Sequence, residues 1–194
     1  RFVLGLGLGL LFGLAGDFVT AQSKSRGGGS RSQKAKTLTP EDLFPKKRIL
    51  DVQITLRDED WDTIRRQTRN FFDALQSRRK YEPVDGPYTY VTASVTIDGV
   101  TYPEVGLRKK GFIGSQSSTR PSLKIKLNHV DKQGQIGDMT HLTLNNGKQD
   151  VTGLSQYMGY GLFTAAGLPA CRCAFAKVTV NGKELGIYEH VESI

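Results

Sequence analysis

Six cations stand within residues 108–126 of this 194-residue chain: Arg108, Lys109, Lys110, Arg120, Lys124 and Lys126. Between them runs Gly111-Phe112-Ile113-Gly114-Ser115-Gln116-Ser117-Ser118-Thr119, a Gly/Ser-rich loop. If the flanking segments are strands that pair around this loop, the period of two puts Arg108 and Lys110 on one face. Lys124 and Lys126 then share one face of the neighbouring strand. Four cations beside unencumbered backbone N–H groups are the chemistry that grips a polyphosphate. The same alternation of lysine also suits an exposed strand that must avoid pairing with another chain. Composition leaves both readings open.

Other chemistry-bearing groups are sparser. Asn145, Asn146 and Asp150 precede a helical pattern, where Asn and Asp serve as turn and cap residues; the alternative is a polar cleft wall. Glu189 and Glu192 lie in the last apolar run. Glu192, at its end, is placed to face a cleft and accept hydrogen bonds from a ribose or an amine, against the alternative of an exposed strand-end carboxylate. His190 has no identifiable partner and reads as a surface or packing residue. Cys171 and Cys173 are two apart on a strand, poor geometry for a mutual disulfide. They read as buried or unpaired thiols, with cross-linking between chains as the alternative. No G-x-x-x-x-G-K-[ST] phosphate loop and no G-x-S-x-G nucleophile turn occurs. Three scattered histidines and two cysteines supply no metal-ligand spacing.

The elements that must position these groups follow from hydrophobic periodicity. Leu50, Val52, Ile54 and Leu56 alternate as a half-buried strand. Asp58 is expected to cap a helix carrying Trp61, Ile64 and Arg65. Residues 70–89 read as an irregular connection. Val91 to Ile97 alternates up to the Asp98-Gly99 turn, and Val105 and Leu107 lie in the returning strand. Leu123, Ile125 and Leu127 alternate with Lys124 and Lys126, and His141–Leu144 forms a further short strand. Asp150 or Thr152 caps a helix with Leu154, Tyr157, Met158, Leu162 and Phe163, ended by Gly167 and Pro169. A second hairpin turns at Asn181-Gly182. The inventory is seven strands and two helices without a regular βαβ repeat, which predicts an α+β fold: a mostly antiparallel sheet layered with two helices.

Net charge is +8, but it is unevenly placed. Residues 1–48 hold nine Lys/Arg against three Asp/Glu, whereas residues 49–194 hold eighteen against sixteen. The body is therefore nearly neutral, which argues against nucleic acid as a partner. Residues 2–14 are an apolar run of thirteen after Arg1. That is short of the roughly 20 residues of a membrane span and matches the h-region of an export signal. The organisation expected is a signal peptide over 1–21, a basic Ser/Gly-rich linker over 22–48, and a folded part over 49–194. The expected location is secreted or envelope-associated, an uncleaved anchor being the alternative for the leader. The linker serves as a solvated tether, or as a basic tail for an anionic envelope polymer.

Several blocks together resemble the spore-coat CotH kinase family. They are Val105-Gly106-Leu107-Arg108-Lys109-Lys110-Gly111, Arg120 through Leu127, Leu142-Thr143-Leu144-Asn145-Asn146 with Asp150, Leu154 through Tyr160, Ala166 through Pro169, and Gly186-Ile187-Tyr188 with Val191-Glu192. The resemblance covers 105–194 and implies an atypical secreted protein kinase with a protein-kinase-like fold. Such a kinase uses ATP and a divalent cation such as Mg²⁺ on Ser/Thr of protein substrates. It implies that Arg108, Lys110, Lys124 and Lys126 bind ATP phosphates and that Glu192 stands near the nucleotide. The chain departs from the family at Phe112-Ile113-Gly114-Ser115, where members often carry Asn-Ser-Ser or Asn-Ser-Thr. The helix turn Leu154-Ser155-Gln156-Tyr157 offers no charged partner for a Lys–Glu pair. The family's catalytic and metal-binding aspartates are expected beyond residue 194, so these residues by themselves are expected to be inactive, an incomplete kinase domain. A non-catalytic envelope or coat module is the alternative.

Overall fold

The computed structural model describes residues 37–70, 72 and 86–193. The expected leader, the linker up to residue 36 and most of the 70–89 connection lie outside them. The described strands are β1 (Leu50–Thr55), β2 (Val91–Ile97), β3 (Val100–Lys110), β4 (Ser122–Lys126), β5 (His141–Asn145), β6 (Cys173–Val180) and β7 (Lys183–Glu192). The α-helices described in full are α1 (Asp58–Arg66) and α2 (Ser155–Ala165).

The strands close into one barrel in the order β1-β2-β3-β4-β5-β7-β6. Every pairing is antiparallel except the one that shuts the barrel. There β1 runs parallel to β6, with Leu50 opposite Ala176 and Ile54 opposite Val180. Alternation along the strands sends one residue in two inward, and these side chains fill the lumen. Val52, Ile54, Val95, Ile97, Leu107, Leu123, Ile125, Leu142, Leu144, Val178 and Val180 form one buried cluster. Small Ala176 faces bulky Tyr188 across the β6–β7 pair, and the buried Tyr188 hydroxyl donates to Pro121 O at 3.1 Å.

This overturns the α+β expectation. The strand inventory matches, but the helices do not form a layer. Among described side chains α1 buries only Ile64 and α2 buries none. The apolar faces are instead covered by the opposite wall of the same sheet. Alternation along a strand shows that one face is buried and is silent on what buries it. A pairing between the first and sixth strands, from distant parts of the chain, decided that.

Two local expectations also change. Residues 37–48 are packed rather than extended: Thr39 and Asp42 exchange hydrogen bonds around a 3-10 turn at Glu41–Leu43. Leu38 and Leu43 join the core, Leu43 with no exposed surface. Asp58 does not cap α1; Arg57 holds the cap position without a side-chain bond to the helix backbone, and Asp58 accepts from Asn181 Nδ2 at 2.6 Å instead. Asn181 and Gly182 both take positive φ, as the two-residue hairpin turn requires.

Candidate functional site

The strands β3, β4 and β5 set the cations. Register pairs Arg108 with Lys124, Lys110 with Ser122 and Gly106 with Lys126, and then Lys126 with His141. Because Leu107, Leu123 and Ile125 point into the lumen, Arg108, Lys110, Lys124 and Lys126 share the outer face. Lys109, of opposite parity, is buried and donates from Nζ to Arg65 O at the end of α1, 2.9 Å away.

Beside this face lies an open cleft of about 510 Å³, floored by the sheet and walled by the 111–115 loop and the start of α2. Arg108 and Lys110 line it. Lys124 stands next to them as Arg108's cross-strand neighbour. Lys126 is one repeat farther, its Nζ 5.9 Å from the centre of the Tyr90 ring, with the Arg108 guanidinium over the same ring at 5.3 Å. None of the four forms an ion pair with a carboxylate among the described residues. Burial, then the charges of Lys124 and Arg108, pull the Lys110 ammonium down to about 8. Lys124 is lowered by burial and Arg108. His141 is lowered by burial and by the charges of Lys124, Lys126 and Arg108.

The walls are held by polar contacts of short side chains. Gly111 takes φ 122°, and a Cβ there would stand 2.5 Å from Ser115 Oγ, so the sharp exit from β3 requires glycine. Tyr88 donates its hydroxyl to Gly111 O. Buried Asn146 donates from Nδ2 to Ser115 O at 3.0 Å and to Arg120 O at 2.8 Å, and its N–H donates to Ser122 Oγ. It thereby clasps both ends of the loop. Asn145 faces the cleft, accepting from Lys110 Nζ at 2.7 Å and donating to Gln156 Oε1 at 2.8 Å. Leu154 holds the cap position of α2 without a side-chain cap bond; Asp150 lies ahead of it, where Oδ2 accepts from Ser155 N–H, and Oδ1 from the N–H and hydroxyl of Thr152. These bonds hold its carboxyl well below the usual range.

Glu192 is elsewhere. It pairs with Leu142 in the β5–β7 ladder, and Arg172 engages it at 2.6 Å through Nη2, with further bonds from Nε and the backbone N–H. Two carboxylates line the cleft, Asp150 and Glu189, the latter the cross-strand partner of Asn145. Only 4% exposed, Glu189 is raised by burial and by Asp150, an effect opposed by the Gln156 N–H that bonds it. Its parity was readable, since Tyr188 and His190 point inward, but its juxtaposition with Asn145 needed the long-range β5–β7 pairing. Lys148 is a further cation on the cleft wall, held by Gln116 O. Its turn position carries no periodic signal. His190 is a packing residue, stacked on Phe44 with centroids 4.7 Å apart. Cys171 and Cys173 are free, and burial pushes the Cys173 thiol up to about 12.

Residues 107–194 match the family model described as CotH kinase protein. The similarity to that family covers this stretch, a little under half of the chain. Apart from Tyr88, every residue lining the cleft falls inside it. The matched stretch supplies β4, β5, α2, β6, β7 and the end of β3, while β1, α1 and β2, which complete the barrel, precede it. No curated protein matches the chain.

Proposed function

We propose that the cleft receives the phosphates of ATP and that the chain serves as the nucleotide side of a CotH-type protein kinase acting on Ser/Thr of an exported or coat protein. The observation that carries this reading is electrostatic: four cations share one outer sheet face without an ion-paired carboxylate among the described residues, two of them lining a cleft. Bringing such charges together costs energy that an incoming oxyanion returns, through charge-assisted hydrogen bonds. Arg108 offers a planar fork for paired oxygens, Lys110 and Lys124 offer point charges, and the loop beyond Gly111 offers backbone donors. Phosphoryl transfer depends chiefly on such positioning and charge neutralisation. The divalent cation that the family resemblance implies does not fit the residues in hand: no group of three or more His, Cys, Asp or Glu side chains stands together among the described residues. No step is assigned to it.

The test is ATP affinity of the full chain against the pairs Arg108→Ala with Lys124→Ala, and Lys124→Ala with Lys126→Ala, by calorimetry. Charged hydrogen bonds contribute about 1.5–3 kcal/mol each, so the first pair is expected to weaken binding by more than about tenfold. The second pair is expected to lose less, because Lys126 is farther from the cleft. Unchanged affinity in the first pair sinks the reading.

A further inference from the structure

Phosphate binding accounts for the cations of the cleft and leaves Glu189 unexplained. A carboxylate repels phosphate, yet this one lines the same cleft. Its Oε1 is buried and has no hydrogen-bond partner among the described residues. An acceptor stripped of water and left unmatched is costly, and native structures seldom tolerate it without a use. The donors beside it are turned to other acceptors: Lys110 Nζ donates to Asn145 Oδ1 and the Asn145 amide donates to Gln156 Oε1, while the carboxylate of Asp150 is itself an acceptor, bonded by Thr152 and Ser155. The cleft is thus bipolar, with Arg108 and Lys110 as donors and Glu189 as a vacant acceptor.

A divalent cation at Glu189 would need more anionic ligands than the described residues bring together. A single vacant oxygen beside neutral amides suits one neutral O–H or N–H donor. We infer that Glu189 accepts a hydrogen bond from a hydroxyl or amino donor on the nucleoside half of the ligand whose phosphates Arg108 and Lys110 hold. This rests on the phosphate reading and adds to it a basis for selecting nucleotides over bare polyphosphate. A site built to accept such a bond discriminates sharply against a ligand lacking the donor, because its buried acceptor then stays unpaired.

The experiment is calorimetric titration of the full chain and its Glu189→Gln and Glu189→Leu variants. The ligands are ATP, inorganic triphosphate, 2′,3′-dideoxy-ATP and the ATP analogue lacking the 6-amino group. Both variants are expected to weaken ATP by about tenfold, while triphosphate binds no less tightly than in the parent chain. Their ligand-free melting temperatures should hold or rise, because an unmatched buried charge is removed; a merely structural glutamate would show the reverse. In the parent chain one analogue should lose the same factor and be indifferent to Glu189→Gln, which tells a sugar hydroxyl from a base amine. The inference is overturned if ATP and triphosphate weaken together, if ATP affinity is unaltered, or if neither analogue loses affinity. If Glu189→Leu does not fold, the isosteric Glu189→Gln decides alone. Absence of binding of both ATP and triphosphate to the parent chain would instead overturn the phosphate reading itself.

Discussion

Lys110 is held between burial, two cationic neighbours and one amide oxygen. Burial and like charge favour its neutral amine, so in the folded protein its proton leaves near pH 8, against an ordinary lysine value of 10.5. Between those values the unfolded chain holds more protons than the native one, so this group's contribution to stability rises with pH over that window. Anion binding follows the opposite sign, because the ammonium that grips phosphate is lost as pH climbs through 8. Triphosphate affinity is therefore expected to fall between pH 7 and 9, beyond any change of the ligand's own charge. Lys110→Arg should flatten that fall, since a guanidinium stays protonated. An equally steep pH profile in the arginine variant would show that Lys110 is not the titrating group. Arg108 and Lys110 were legible because period-two alternation is local. Glu189 was not, because its role depends on the strand across from it.

At the scale of the element, the loop between β3 and β4 shapes the cleft wall, and Gly111 sets its course. Gly111→Ala meets both a positive φ and the Ser115 hydroxyl, and strain of this kind costs about 1–3 kcal/mol. The expected result is a lower melting temperature together with weaker triphosphate binding, read by calorimetry and titration on the same sample. A loss of stability with binding intact would detach the loop from the site. The helix α2 poses a different question. Its start near Asp150 was readable, but Met158, Leu162 and Phe163 remain exposed, and its side chains reach β6 through the Tyr157–Phe175 ring contact, 5.2 Å between centroids. Sequence pattern marks such a helix as apolar and cannot say that the sheet has no room for it, because the lumen is already filled by the barrel's own strands.

At the scale of the whole molecule, residues 37–48 belong to the barrel rather than to a tether. Leu43→Ala should destabilise the fold by about 2–5 kcal/mol, measured by denaturant unfolding, while leaving triphosphate affinity unchanged because the cleft lies on the outer face of β3 and β4. A negligible effect would return this stretch to the linker. The basic charge of the N-terminal part was visible in the amino-acid order, and so were Leu38 and Leu43, but composition averages over a stretch and hides two leucines that dock. The chain by itself determined the seven strands, both hairpin turns and the common face of alternate cations within each strand, because each follows from neighbours within a few residues; that β3 pairs with β4 was there only a condition, which the structure supplies. Closure of the sheet into a barrel, the exclusion of α2 from the core, the placing of Glu189 rather than Glu192 at the cleft and the depressed Lys110 ammonium were decided only by tertiary structure. Each depends on which distant strand lies alongside and on how much water that arrangement leaves, and neither quantity is written in local periodicity.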